Sequence, residues 1–441
     1  MAQQKHSKCG LYHVHSAATF SNKWQEIGCG HSSQEDNEVA MEQEDTFFNP
    51  GFFDDVVAPA MRGPAPQPAY AEFQQRCPVA HNPDGSVTIT RFEDIRYLNQ
   101  SRDVLGNGAD GAKLGSQKAR IPLDLDGEEH LIWRRRLNPL FTAKRMAILE
   151  PRIRARSVEL LDTFSSRGEA DVFAEWCAPL PAAMFLSILG LPQEDLPKFV
   201  DFVDLQLHPD PELPMDENMA RMAEGAAECR KYLDEAIDER LKGDPGEDIL
   251  GWLVGFRDPD GSAIEREDLH SILYLLILAG LDTTSLMLGN ALAYLAKHPT
   301  HRTLLLEDPD LWPNAVEELL RFETSVPLAV RTPVADITLP SGETIKAGTL
   351  VNVSWASANL DPNAFDHPLE VDFHRARNPH VAFASGFHRC LGSHLARLEL
   401  TVALEEFHKR IPQYELAPDT QLAFSHFPRG PRSLPLVWPV R

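Results

Sequence analysis

The residues from Glu265 to Lys297 constrain this chain more than any others in it. Read as one helix, they extend for about 50 Å at 1.5 Å per residue, longer than the radius of a typical domain. The middle of the stretch, SILYLLILAGLDTTSLMLGN, is apolar on nearly every side. Such a helix must be buried all round, so the pattern predicts one running through the centre of the molecule. That centre nevertheless carries Gly280, Asp282, Thr283 and Thr284. A glycine costs about 1 kcal/mol relative to alanine in a helix interior, and a buried aspartate costs more unless paired. Two readings are open. One is a local kink in which threonine hydroxyls bond back to the preceding turn; the other is a ligand lying against a locally opened helix.

Helical periodicity also covers Glu128–Phe141, Pro151–Arg167, Phe173–Leu189, Met219–Leu241, Trp312–Phe322 and Leu391–Arg410. Strand-like pieces lie at Ser86–Thr90, Ile337–Leu339 and Leu350–Ser354. The fold class predicted is mainly α with a small β portion, without internal repeats. Residues 1–44 are rich in Gln, Ser, His and Glu and read as a poorly ordered extension, leaving 45–441 as one domain. Within the extension, Cys9, His13, His15, Cys29 and His31 match no standard zinc spacing.

Composition excludes some functions. The formal charge of −23 comes from 65 acidic against 42 basic residues. A field of that sign repels phosphate backbones, so no nucleic-acid partner is expected. The longest uncharged apolar run, Ile272–Leu281, has 10 residues, short of the roughly 20 that span a bilayer. No membrane anchor is expected, and the N-terminus lacks the apolar core of a signal peptide. Six cysteines are spread too thinly for a disulfide framework, which favours a reducing cytoplasm.

The strongest chemical signal is Phe383-Ala-Ser-Gly386-Phe-His388-Arg-Cys390-Leu-Gly392, leading into an amphipathic helix with Leu395, Leu398 and Val402. A cysteine just before a helix N-terminus meets free backbone N–H groups and a favourable dipole, which stabilise a thiolate. Thiolate is what a soft iron ligand requires. The flanking glycines let backbone approach a flat ring and turn sharply.

This loop resembles the haem-binding loop of the cytochrome P-450 family, whose usual form is Phe-Gly-x-Gly-x-His-x-Cys-x-Gly. It departs at one position, where Ala384 replaces a glycine. Three further motifs resemble the family in order. Ala279-Gly-Leu-Asp-Thr-Thr284 is similar to the central-helix motif for oxygen activation. Glu318-Leu-Leu-Arg321 is similar to the Glu-x-x-Arg pair, with Arg375 as its second arginine. His130-Leu-Ile-Trp-Arg134 is similar to the helix that contacts the propionates in soluble bacterial members. The likeness covers roughly residues 45 to 441.

The resemblance implies a single P-450-type fold, with haem b between the central helix and the C-terminal cysteine-loop helix. It implies Cys390 as the iron ligand and Phe383, Gly386, Gly392 and Ala279 as residues close to the ring. His130, Arg134, Arg331 and His388 would meet the propionates. Asp282 and Thr283 would form an acid–hydroxyl relay carrying protons during dioxygen activation. The implied activity is a monooxygenase that hydroxylates a lipophilic small molecule of terpenoid, steroid or fatty acyl type. Leu275, Leu278, Ala279, Val326, Leu328 and Ala329 are the expected apolar lining. No second nucleotide-binding region is left over, so electrons from NAD(P)H must arrive through a separate ferredoxin or flavodoxin-type protein with its reductase. Its expected dock is the basic group Arg134, Arg135, Arg136 and Arg389. The rival readings are a peroxide-using enzyme and a haem-binding sensor or carrier on the same scaffold.

Overall fold

The computed structural model describes residues 28–29, 63–106, 119–210 and 213–440. The expected N-terminal extension, with Cys9, His13, His15 and His31, lies outside them except for Gly28 and Cys29. The helices that position the site are α1 (Gly127–Leu137), α2 (Glu150–Phe164), α3 (Pro179–Leu189), α4 (Leu196–Leu207), α5 (Met215–Lys242), α6 (Arg266–Leu281), α7 (Thr283–Lys297), α8 (Trp312–Glu323) and α9 (Ser393–Arg410). The molecule is mainly helical with a small sheet portion, as the periodicity predicts.

The predicted central helix is present as α6 and α7, separated by one residue, Asp282. The two halves belong to different cores. Residues Leu269 to Leu281 pack with Phe185, Phe202, Leu233 and Leu253, whereas Leu286 to Leu295 pack with Leu161, Leu319, Leu404 and Phe407. Burying each such side chain contributes about 1.5–3 kcal/mol, far more than a single helix-interior glycine costs. Gly280 has a packing reason of its own: a Cβ there would come within 2.5 Å of the Phe185 ring on α3. At the break, Thr283 Oγ1 donates to the Ala279 carbonyl at 3.0 Å and Ser285 Oγ to that of Leu281 at 2.7 Å. Hydroxyl back-bonding of this kind opens a helix locally.

The continuous stretch Arg266–Lys297 is 32 residues long with a mean hydropathy of 1.8 in its most apolar window. By length and composition it passes as a membrane span, which counting uncharged runs in the sequence does not reveal. Inside the fold 78% of that window is buried by protein, so its apolar face is already used.

The main sheet runs β1 (Gly28–Cys29), β2 (Val79–His81), β3 (Val87–Ile89), then β6 (Val351–Ser354), β5 (Leu328–Pro333) and β4 (Val104–Leu105). All neighbours are antiparallel except β3 and β6. Register on β6 sets Arg331 opposite Val351 and Ala329 opposite Val353.

Glu318 and Arg321 on α8 are both fully buried. The carboxylate takes two bonds from Arg321 at 2.7 and 2.8 Å, one from Arg375 at 3.0 Å and one from the Asp372 N–H at 3.0 Å. One acid thus fixes the chain segment that leads to the cysteine loop. The cysteine reading needs one correction. Cys177, Cys229 and Cys390 are free, but Cys77 is disulfide-bonded, so thin spacing alone did not exclude a bridge. Cysteine usage therefore argues less for a reducing compartment.

Candidate functional site

The cysteine loop is held from both sides. Ala384 sits at φ +56° and Gly386 at φ +69°, in the left-handed region that favours glycine. The alanine thus adopts the backbone that the more usual glycine would, and the turn survives the exchange. Gly386 has a second reason to lack a side chain, because a Cβ there would lie 1.9 Å from the Asn99 carbonyl. The turn returns the Cys390 N–H to the Phe383 carbonyl at 2.9 Å. Gly392 precedes α9 and has open space where a Cβ would stand.

Cys390 is exposed by surface area, yet it lies deep enough for burial to push its thiol above the ordinary value. The Gly392 N–H and the guanidiniums of Arg134, Arg397 and Arg389 pull the other way without prevailing. A bound metal cation deprotonates such a thiol outright.

A polar edge is built by α1, the loop before it, β5 and the cysteine loop. His130 and His388 stack with ring centroids 4.2 Å apart. His388 Nε2 donates to Asp126 Oδ1 at 2.9 Å, and the Gly106 N–H reaches the same oxygen at 2.7 Å. Burial raises the Asp126 carboxyl, but these bonds together hold it below the usual carboxylate value. Burial, with His388 and Arg134 nearby, pushes His130 down to about 4, so it is neutral at pH 7. Arg331 donates to Asn99 Oδ1 at 3.0 Å and to the Gly106 carbonyl at 2.5 Å. Burial lowers it to about 10, against the pull of Asp126. Arg134 is half-buried and lowered mainly by burial, while Cys390 raises it.

The structure thus brings His130, His388 and Arg331 to one edge and Arg134 within electrostatic reach of Cys390. Sequence reasoning missed Asp126, Asn99 and Gly106. Asp126 before a helix reads as an N-cap, but its side chain bonds no helical N–H and serves His388 instead.

On the central helix, Ala279 is exposed although Leu278 and Leu281 beside it are buried. Thr283 is partly exposed at the next turn. Asp282 turns away from this face: its Oδ2 meets His208 Nε2 at 2.8 Å, and Arg432 lies 3.7 Å from Oδ1. Of the expected lining, Leu275, Val326 and Ala329 are partly open, while Leu278 and Leu328 are core. The expected basic dock is thinner than its sequence suggests. Arg136 is paired with Asp258 at 2.7 Å and Arg135 with Glu128 at 2.8 Å, leaving Arg134 and exposed Arg389.

These residues fit haem. A soft sulfur donor stands just before α9, with open space at Gly392 two residues on. One edge holds two imidazoles and a buried guanidinium, the donors that carboxylates require.

The family model described as cytochrome P-450 matches residues 201–419. The chain is 35% identical to the mycinamicin IV hydroxylase/epoxidase of Micromonospora griseorubida, over 84% of its own length and 94% of that protein. It is 33% identical to the vitamin D(3) 25-hydroxylase of Pseudonocardia autotrophica, over 80% and 88% respectively. A Bacillus megaterium cytochrome solved with testosterone superposes with a TM-score of 0.79 at 26% identity, covering 87% of this chain and all of that one.

Proposed function

The chain belongs to the cytochrome P-450 family and is a monooxygenase of its bacterial type, and on that premise we propose that it hydroxylates a lipophilic small molecule with Cys390 as the haem ligand. The observation carrying this reading is the cysteine loop itself: Cys390 stands just before α9 with its N–H held by the Phe383 carbonyl at 2.9 Å, beside His388 on the polar edge.

Bound haem supplies reductive activation of dioxygen and insertion of one oxygen atom into a C–H bond. The protein's own groups do the rest. Cys390 donates electron density as a thiolate. His130, His388, Arg134 and Arg331 would hold the two propionates. Ala279, Leu275, Val326 and Ala329 form an apolar wall that excludes water and accepts hydrocarbon. Asp282 Oδ2 faces His208 Nε2 at 2.8 Å, a pair that would pass protons to the break, and the Thr283 hydroxyl stands one residue on, at the open side of the helix. The relatives' ligands vitamin D(3) and testosterone are largely hydrocarbon and support a lipophilic substrate. Electrons come from NAD(P)H through a separate ferredoxin or flavodoxin-type protein, and Arg389 gives that acidic partner a positive contact.

The test is turnover of a lipophilic library under labelled dioxygen, with and without a ferredoxin and its reductase. One labelled oxygen atom per product, dependent on the partner, is expected. Product formed only from added peroxide would replace this reading with a peroxide-using enzyme. Ligand binding with no product in either arm would replace it with a carrier or sensor. The ligand assignment has its own check: Cys390→His should lose the red-shifted Soret band of the ferrous–CO complex, and persistence of that band would move the ligand elsewhere.

A further inference from the structure

Behind the cysteine loop stands an ion pair that neither the propionate edge nor the acid–hydroxyl relay uses. Arg397, on the second turn of α9, donates to both oxygens of Glu317 on α8, through Nε at 2.6 Å and a terminal nitrogen at 2.9 Å. His380 bonds the same carboxylate at 3.0 Å. The guanidinium lies over the Phe383 ring, 4.5 Å from its centroid. Phe383 is the residue whose carbonyl receives the Cys390 N–H.

Each contact removes freedom from Arg397. A two-point carboxylate bond fixes the plane of the guanidinium, and the ring beneath it fixes its height. Arg389 is exposed, and Arg134 has no ion-pair partner among the described residues. Of the three arginines around the cysteine loop, Arg397 is the one locked in place. Burial raises the Glu317 carboxyl, but His380 and Arg397 hold it down at about 2, so the pair is fully charged at neutral pH. The pair is also directional. Its positive end lies over Phe383, whose carbonyl takes the Cys390 N–H, and reaches the Ser393 carbonyl at 3.4 Å, whereas the Glu317 anion sits behind it on α8.

We infer that Arg397 is a positioning residue for the Cys390 ligand: held by Glu317 and stacked on Phe383, it is a fixed positive charge behind the sulfur that raises the ferric/ferrous potential of haem bound there. The inference rests on the reading of Cys390 as the haem ligand. An electron added to the iron is stabilised by a nearby positive charge. At an effective dielectric constant near 20, a unit charge roughly 10 Å away changes a one-electron equilibrium about tenfold.

The test is a dithionite titration with mediator dyes on the haem-loaded full-length protein, comparing wild type with Arg397→Gln, Arg397→Lys and Glu317→Gln. Arg397→Gln leaves the Glu317 anion unopposed, and the equilibrium should shift about tenfold toward ferric, ~59 mV for one electron. Glu317→Gln leaves the guanidinium unopposed and should shift it the other way. Arg397→Lys keeps the charge and should restore most of the loss. Opposite signs in the two Gln variants are something a merely structural role does not produce. Shifts of the same sign, or both within about twofold of wild type, overturn the inference. Should Arg397→Gln retain no haem, Glu317→Gln decides alone: a rise supports the inference, and no change or a fall overturns it. The ferrous–CO band is recorded throughout. Its absence from the wild type overturns the ligand assignment itself, and its presence with unmoved potentials overturns only the role of Arg397.

Discussion

His208 and Asp282 meet across the break in the central helix, with the imidazole Nε2 2.8 Å from the carboxylate. They lie 74 residues apart in the chain, and His208 is the residue that ends α4. The acid of the expected relay therefore has a fixed orientation, pointing toward a histidine rather than toward the exposed Ala279 face. If Asp282 delivers protons, Asp282→Asn keeps its shape but removes the titratable group. Turnover should fall by about 10²-fold, with haem content unchanged. His208→Gln preserves a hydrogen-bond donor and should cost less. Single-turnover rates in the two variants check this, and normal rates in both would leave the pair as a structural tie.

Glu318→Ala tests the buried ion cluster. The substitution leaves Arg321 and Arg375 without their shared acid, and Arg321 is fully buried. Removing one partner of a buried pair typically costs about 3–5 kcal/mol. Little folded, haem-loaded protein is expected. The measurements are soluble yield and the denaturant midpoint; a midpoint within error of wild type would refute the assignment.

These two cases mark what was readable in the sequence. Glu318 and Arg321 are three residues apart on a helix, so their pairing follows from local geometry, and the apolar run 265–297 carries its own burial signal. The one-residue break at Asp282 was visible as misplaced Gly, Asp and Thr, although Gly280 turns out to serve the Phe185 ring. The short helices at Gln67–Arg76 and Phe92–Gln100 went unread because a turn or two of periodicity does not rise above background. His208, Asn99 and Asp126 were invisible as site residues for a different reason. Their partners are brought to them only by tertiary packing, and each alone reads as an ordinary loop, surface or capping residue.

Ala384→Gly should be tolerated where a glycine substitution normally destabilises. The alanine sits at φ +56°, which carries a steric cost of about 1–2 kcal/mol for a side-chain-bearing residue. Glycine removes that strain but makes the unfolded chain looser by about 0.4–1 kcal/mol. The thermal midpoint should therefore hold or rise slightly, while Ala384→Val should lower it clearly. Equal losses in both variants would mean that the backbone relaxes out of the left-handed region.

Acid stability should depend on His408. It is buried on α9 between the Leu404 carbonyl and the Tyr414 hydroxyl, and burial pushes it down to about 4. The unfolded chain binds a proton near pH 6.5 and the folded chain does not until near 4, so between those values unfolding takes up protons. Stability is then complete above about pH 6.5 and declines as the pH falls toward 4, by about 3 kcal/mol in all. His408→Gln should lower stability at pH 7 but flatten its slope between pH 6.5 and 4.5. Urea midpoints across that range measure the slope, and an unchanged slope would show that His408 is already charged in the fold.

Thr283→Ala separates the chemistry of the break from its shape. The hydroxyl donates to the Ala279 carbonyl, on the open side of the helix, and losing one such bond costs about 0.5–1.5 kcal/mol. The variant should fold, bind haem and accept electrons as wild type does. Its neighbour Asp282 keeps His208 and Arg432, so protons still arrive at the break. What is lost is the hydroxyl that receives them at the face where Ala279 is exposed. NAD(P)H consumption should therefore continue while hydrogen peroxide replaces hydroxylated product. The two variants fail differently, because Asp282→Asn slows the cycle and Thr283→Ala wastes it. The deciding measurement is product formed per NAD(P)H oxidised, with peroxide quantified in the same reaction. Full coupling in Thr283→Ala would assign the hydroxyl to holding the helix open and leave proton delivery to other groups.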